Sequence, residues 1–463
     1  MYPRRMEKMS FVTGAVCVKC GHEQAALPMT TTCEKCGGIL DIKYDHARIK
    51  QMLTPGILAG RRDMTMWRYM EFLPVEPETV EKVNRLRVGG SPLYRVDRLA
   101  ERLGIKELYV KDDGINPSAS LKDRASAMAV MKATEAGMST IACSSTGNAA
   151  SSLAGNAAAA GYKTYIFVPE RAPKGKVSQL MIFGANVISV QGNYEDTFRL
   201  SAQAIERFGW YNRNAAINPY LMEGKKTVSL EIAEQLGFKM PDYIAVSVGD
   251  GCTIGGVWKG LKDLYATGFI DRLPRIISVQ STGCYPINRA VAENKPLEPM
   301  EENTIADSIA VGVPRNPDKA MNAIRESNGI CVNVTDEEIL WAMDDVLDII
   351  PSSRIDMLME LRKEHKVYLL SNIYDRGWQI ATEAFRKHGV EPEDCFDHLF
   401  LSHEMQLAKP DPRIFHAVID ATGIKPEETL FFDDSRSNIA TATAMGFQAQ
   451  LVPMNKLEDI KLH

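Results

Sequence analysis

The chain has 463 residues, 45% of them hydrophobic and 24% charged, with a formal net charge of -5. That length accommodates roughly three domains with full cores, and the slight acidity gives no reason to expect nucleic acid or an anionic membrane as partner. No apolar run approaches the ~20 residues of a membrane span. The N-terminal MYPRRMEKMSF also lacks the apolar stretch of a secretory signal. Nine cysteines, four of them in CxxC pairs, point to metal binding in a reducing compartment rather than to disulfides. The cytoplasm is the expected location.

Residues 1–88 form the first predicted part, an N-terminal module with its lead-in. It carries Cys17 and Cys20, then twelve residues, then Cys33 and Cys36. Each CxxC can place two thiolates on one tight turn, and two such knuckles complete a tetrahedral site for structural zinc, with no open coordination position. Gly21 and the Gly37–Gly38 pair follow the knuckles, where chain reversal calls for positive φ. A redox CxxC and a rubredoxin-type iron site are the alternatives, and His22 is available as a substitute ligand.

Residues 89–340 alternate strand and helix. ELYVKDD, STIACSS, KTYIFVPE, ANVISVQG, DYIAVSVG and RIISVQS read as buried strands, with helical stretches between them. Such alternation implies parallel strands with crossover helices, a doubly wound α/β sheet whose ligands bind in the loops after the strands. Three of those loops are unusual. NPSASLKDR places Lys122 in the first turn of a helix, the wrong end of the helix dipole for a cation. A solvated Lys-Asp-Arg triplet would explain that; so would a lysine whose lowered pKa lets its amine act as nucleophile and base. SSTGNAASS opens an Ala-rich helix at Asn148. VGDGCTIGG sets Gly249, Asp250, Gly251, Cys252, Thr253, Gly255 and Gly256 before another helix, where backbone N–H groups and the dipole suit an anion. No Gly-Lys-Ser/Thr follows, so this is not a Walker loop, and Ala119 three residues before Lys122 excludes an S-x-x-K acyl-enzyme. A lysine, a hydroxyl-rich loop and a phosphate cradle together suit pyridoxal phosphate.

These motifs, with MWRYMEFLPV, VGGSPLYRVDRLAERLG and INPYLMEGKKT, resemble the fold-type-II pyridoxal-phosphate enzymes, and within them the threonine synthase family, over roughly residues 12 to 340. The resemblance implies a two-lobed α/β domain in which Lys122 forms the Schiff base and Asn148 contacts the cofactor's ring hydroxyl. It assigns the 249–255 loop to the cofactor's phosphate. Leu121 stands where the family usually has Phe. The implied reaction converts O-phospho-L-homoserine and water to L-threonine and phosphate, and such a site must hold two phosphates. Arg124, Lys174, Lys176 and Lys225 are the candidate cations for the second. A cysteate-synthase-like β-replacement enzyme or an ammonia-lyase is the alternative within this chemistry, and a homo-oligomer is left open.

From about Trp341 the family pattern breaks. LRKEHKVYLLSNIYDRGW, LAKPDPRIF and LFFDDSRSNI resemble the C-terminal half of a haloacid-dehalogenase-like hydrolase, with Ser371 as its second motif, Lys409 its third, and Asp433 with Asp434 its fourth. Mg²⁺ would suit those carboxylates. The first motif, which supplies the nucleophilic Asp, is missing; Asp344, Asp345 and Asp348 have neither its spacing nor a preceding strand. Residues 341–463 are therefore expected to be a partial, inactive hydrolase segment joined to a C-terminally shortened catalytic domain. A fusion, a rearrangement and an assembly error all fit that junction, and a phosphatase or a non-catalytic protein remain the readings of another class.

Overall fold

A computed structural model describes residues 11–452, except 193, 215–216, 348–349 and 351. The chain divides into two compact units, Met1–Asp336 and Glu337–His463. No helix among the described residues is long and apolar enough to cross a membrane.

The first unit opens with a small antiparallel sheet in which Val12–Cys17 lies between Glu23–Gln24 and Leu40–Tyr44. Alternation along Leu40–Tyr44 buries Leu40, Ile42 and Tyr44, the period-two signature of a strand with one face on a core. That core is continuous with the main α/β body, since Leu40, Ile42 and Tyr44 share one apolar cluster with Trp67, Met128 and Trp258.

The α/β body holds two parallel sheets. One has the order Asn186–Val190, Lys163–Pro169, Thr140–Ser144, Tyr211–Asn212; the other runs Tyr243–Ser247, Arg275–Ser281, Ile330–Val334. The alternation thus yields a mixed α/β fold in two lobes, where the strand pattern alone suggests a single sheet. ELYVKDD is the exception. Tyr109–Lys111 pairs antiparallel with Leu93–Arg95 in a separate ribbon, because the short intervening helix Asp97–Arg102 permits a simple reversal rather than a crossover.

Helices join the lobes. Lys122–Glu135, Tyr220–Gln235 and Cys252–Thr267 pack in a row, with Tyr220–Gln235 in the middle. Gly224 makes the first contact close: a Cβ there would sit 2.2 Å from the carbonyl oxygen of Arg124, so no other residue fits.

Arg124 is fully buried and every guanidinium donor is engaged. Nε and Nη2 reach Asp113 at 2.8 and 2.7 Å, Nη1 and Nη2 reach Glu231 at 2.5 and 2.9 Å, and Thr227 and Ser91 hydroxyls complete the set. Lys111 Nζ adds a second cation 2.8 Å from Glu231. Burial alone would raise the Glu231 pKa, but Arg124 and Lys111 hold it at about 2. The network ties the ribbon, the VGGS turn and two helices into one body.

The second unit contains two parallel strand pairs, Tyr368–Ser371 with His398–Leu401 and Leu430–Asp433 with Gln448–Leu451. Among the described residues no ladder joins the pairs. Phe385 and Phe396 pack in one apolar cluster, and Phe415, Phe431 and Phe447 in another. Asp344 and Asp345 fall on the helix Asp336–Leu347, and Asp348 lies outside the described residues.

Removing the fork of Arg124 would leave the buried Glu231 and the partly buried Asp113 with one lysine between them. Arg124→Met is expected to cost about 3–5 kcal/mol, and Arg124→Lys to recover little because an ammonium cannot make the bidentate contacts. Denaturant unfolding of both variants checks this; a loss below about 1 kcal/mol, the scale of an exposed pair, contradicts it.

Candidate active site

Lys122 is the first residue of its helix, two residues before the locked Arg124. The turn ahead of it is fixed by local hydrogen bonds: Asp123 accepts from the backbone and hydroxyl of Ser118 at 2.7 and 2.9 Å, and from Asn156 Nδ2 at 2.7 Å. Ala119 takes the left-handed conformation, φ 54°. The Lys122 ammonium makes no hydrogen bond or ion pair among the described residues. Burial of its amine, and then the neighbouring charges of Lys225 and Arg213, bring its pKa down to about 8. The misplaced cation of the sequence is therefore one that is readily neutral.

Lys225 and Arg213 are themselves buried, 2% and 1% exposed. Lys225 has no hydrogen-bonding or ionic partner among the described residues, and burial pushes its pKa down. Arg213 spends Nε and Nη2 on the Ser126 hydroxyl, at 3.2 and 3.1 Å, and meets no carboxylate among the described residues. Beside Arg213, Asn214 orders the end of the strand Thr140–Ser144 by accepting from Ser144 N at 3.0 Å. The Ser144 hydroxyl and Asn214 Nδ2 are then left buried without partners among the described residues. Three cations and two unused polar atoms make this region suited to anions, since such groups are costly to bury unless a ligand satisfies them.

The Gly-rich loop opens the helix Cys252–Thr267. Gly251 is its N-cap at φ 87°, and a Cβ there would lie 2.2 Å from the carbonyl of Asn316. The first N–H groups of that helix have no acceptor within it and carry the positive end of its dipole. Asp250, awkward beside an anion, points its carboxylate elsewhere: Oδ1 accepts from Arg315 N at 2.6 Å and Oδ2 from Cys252 Sγ at 3.8 Å. Burial raises its pKa, which further blunts the charge. Asn316 Oδ1, across from Gly251, is buried and unsatisfied among the described residues. Gly249 packs on Ile309, Thr253 lies in the first turn and Gly255 seats Lys319. These features fit a phosphate-bearing cofactor. Asn148 starts the helix Asn148–Ala159 with its side chain exposed and unengaged among the described residues.

The four tentative phosphate cations separate. Lys225 lies with Lys122. Arg124 is consumed by Asp113 and Glu231 and is corrected from ligand to scaffold. Lys176 pairs with Asp307 at 2.5 Å on the surface, and Lys174 is exposed at the start of its helix. Arg213, Ser144 and Asn214 escaped the sequence reading. Their signal was positional: Arg213 and Asn214 directly follow a strand and Ser144 ends one, where such sheets bind ligands.

The sulfurs of Cys17, Cys20, Cys33 and Cys36 all lie within 4.8 Å of one another, and three pairs are 3.3 to 3.7 Å apart. A tetrahedral zinc with Zn–S of about 2.3 Å requires S···S separations of about 3.8 Å, so the cluster fits that metal. In the second unit, Lys409 Nζ bridges Leu370 O at 2.6 Å and Asp433 Oδ2 at 2.7 Å. Ser371 ends the neighbouring strand and Asp434 is exposed. The lysine's charge is neutralised within the unit.

Residues 85–348 match the model of a family described as pyridoxal-phosphate dependent enzyme, and residues 290–446 that of haloacid dehalogenase-like hydrolase. Where the two matches overlap, the strand Ile330–Val334 pairs with Arg275–Ser281 and so belongs to the first unit. A threonine synthase of Methanosarcina acetivorans is 42% identical over 333 residues, 71% of this chain and 80% of that protein. One from Methanocaldococcus jannaschii is 42% identical over 329 residues, 70% of this chain and 80% of its own. The structure of maize serine racemase superposes with a TM-score of 0.50 at 24% identity, covering 57% of this chain and 77% of that one, a likeness of fold alone. With the first match spanning more than half of its length, the chain belongs to the pyridoxal-phosphate dependent enzyme family.

Proposed function

We propose that the protein is a threonine synthase, converting O-phospho-L-homoserine and water to L-threonine and phosphate. The observation that carries this reading is a readily neutral lysine beside two further buried cations, Lys225 and Arg213, that lack carboxylate partners among the described residues. An anionic substrate group is what such a pair requires. Kinship with the two archaeal threonine synthases favours the same substrate.

Pyridoxal phosphate, when bound, supplies the electron sink that acidifies the substrate's Cα–H. Lys122 carries the cofactor, and its Nζ, neutral above pH about 8, accepts the Cα proton and returns it. The Gly249–Gly255 loop holds the cofactor's phosphate through the N–H groups ahead of Gly255, whose own N–H donates to Gly251 O, and Asn148 meets the ring hydroxyl. Arg213 and Lys225, with the Ser144 hydroxyl and Asn214 amide, hold the substrate's phosphate and stabilise the charge as it leaves. Water adds at Cβ. The four cysteines hold one structural zinc. The second unit is non-catalytic, because its Lys409 and Asp433 neutralise each other and no first-motif Asp accompanies them among the described residues.

Incubating the full chain with O-phosphohomoserine and identifying the amino-acid product tests this reading. Threonine is expected; homoserine would assign the phosphate release to the second unit, and no product would show a fold without the chemistry. Lys225→Met should lower kcat/KM at least tenfold, about 1.4 kcal/mol of transition-state stabilisation. Metal analysis should find about one zinc per chain, lost when Cys17 and Cys20 are changed to Ser; stoichiometric zinc in that variant would contradict the assignment.

A further inference from the structure

The strand Leu40–Tyr44 closes the four-cysteine module, pairing Leu40 with Cys17 and Asp41 with Val16. Its other contacts run into the helices around the Gly-rich loop. Tyr44 donates to Glu223 at 2.6 Å, and its ring lies 4.0 Å beneath the Lys226 ammonium. Lys226 in turn bridges Glu223 and Asp263, at 2.5 and 2.7 Å. His46, two residues on, reaches Asp263 at 2.9 Å.

One of these contacts leads directly to the loop. Lys319 Nζ lies 2.7 Å from Asp41 and donates to Leu40 O at 2.6 Å. Its stem crosses the start of the helix Cys252–Thr267 at Gly255, where a Cβ would stand 3.0 Å from the Lys319 Cβ. Lys319 belongs to the helix Pro317–Glu326, whose N-cap Asn316 touches Gly251 and donates its backbone N–H to Asp250 O at 3.0 Å. Arg315 N holds the Asp250 carboxylate. A displaced Lys319 would therefore move both the residue that covers Gly251 and the residue that orients Asp250.

We propose that Asp41 is a positioning residue for the Gly249–Gly255 loop, acting through Lys319, so that the cysteine module sets how tightly the loop holds a phosphate. The proposal rests on the reading that this loop takes the cofactor's phosphate. It is not a general claim about stability. Misplacing a phosphate cradle should weaken ligands that carry a phosphate and spare the same ligand without one.

The test is titration of the full chain with pyridoxal phosphate and with pyridoxal, read by the absorbance of the lysine-bound cofactor. Asp41→Asn should weaken pyridoxal phosphate about tenfold while pyridoxal binding is unchanged, the scale of ordinary coupling between sites. Lys319→Met cuts the same contact from the other side, and the double variant should be no worse than the poorer single one. Lys43→Ala, on the same strand but paired among the described residues with exposed Glu23, should change neither ligand. Equal losses for both ligands, no loss for either, or additive single effects overturn the proposal. Gly251→Ala separates this from the parent reading. If that variant fails to distinguish the two ligands, the loop does not hold the phosphate. If it does distinguish them while Asp41→Asn does not, only the coupling is wrong.

Discussion

The position of Lys122 depends on an ion network that never touches a substrate. Arg124 and Glu231 are buried and Asp113 is partly so, and each lone charge would be costly to keep from water. Paired through a six-contact fork, they bind the turn before the lysine to the helix Tyr220–Gln235. Gly224 lets those helices meet at backbone distance, which fixes Lys225 on the same body as Lys122. The pKa of Lys122 then follows from where the network holds it: partly buried, beside two cations.

The contrast between the two sets of charges explains the division of labour. Asp113, Arg124, Glu231, Lys226 and Asp263 are all matched by opposite charge. Lys122, Lys225 and Arg213 are not matched among the described residues. Matched charges specify the packing; unmatched ones are a destabilising feature tolerated where a ligand completes them. Electrostatics thus separates scaffold from site within one helix, since Lys225 and Lys226 are neighbours with opposite fates.

Much of this was legible in the sequence, for local reasons. The cysteine knuckles, the strand-helix alternation and the three loop motifs depend on residues close in the chain. Arg124 was misread because its partners lie 11 and 107 residues away, and nothing in the KDR triplet shows which of two cations will be consumed. The strand Tyr109–Lys111 looked like its parallel neighbours because hydrophobic content does not report pairing direction. The overlap of two family matches at residues 290–348 is resolved only by the ladder that puts Ile330–Val334 beside Arg275–Ser281. In the second unit, three motifs survive in order, yet the strands they end remain in two separate pairs among the described residues.

The central claim is that Lys122, rather than the more deeply buried Lys225 beside it, carries the cofactor. Borohydride reduction of the full chain loaded with pyridoxal phosphate, followed by peptide mapping, tests this most directly. The account predicts a single modified residue, Lys122, and no modified peptide in the Lys122→Ala variant. Cofactor fixed to Lys225, or to any other lysine of the wild-type chain, would contradict it.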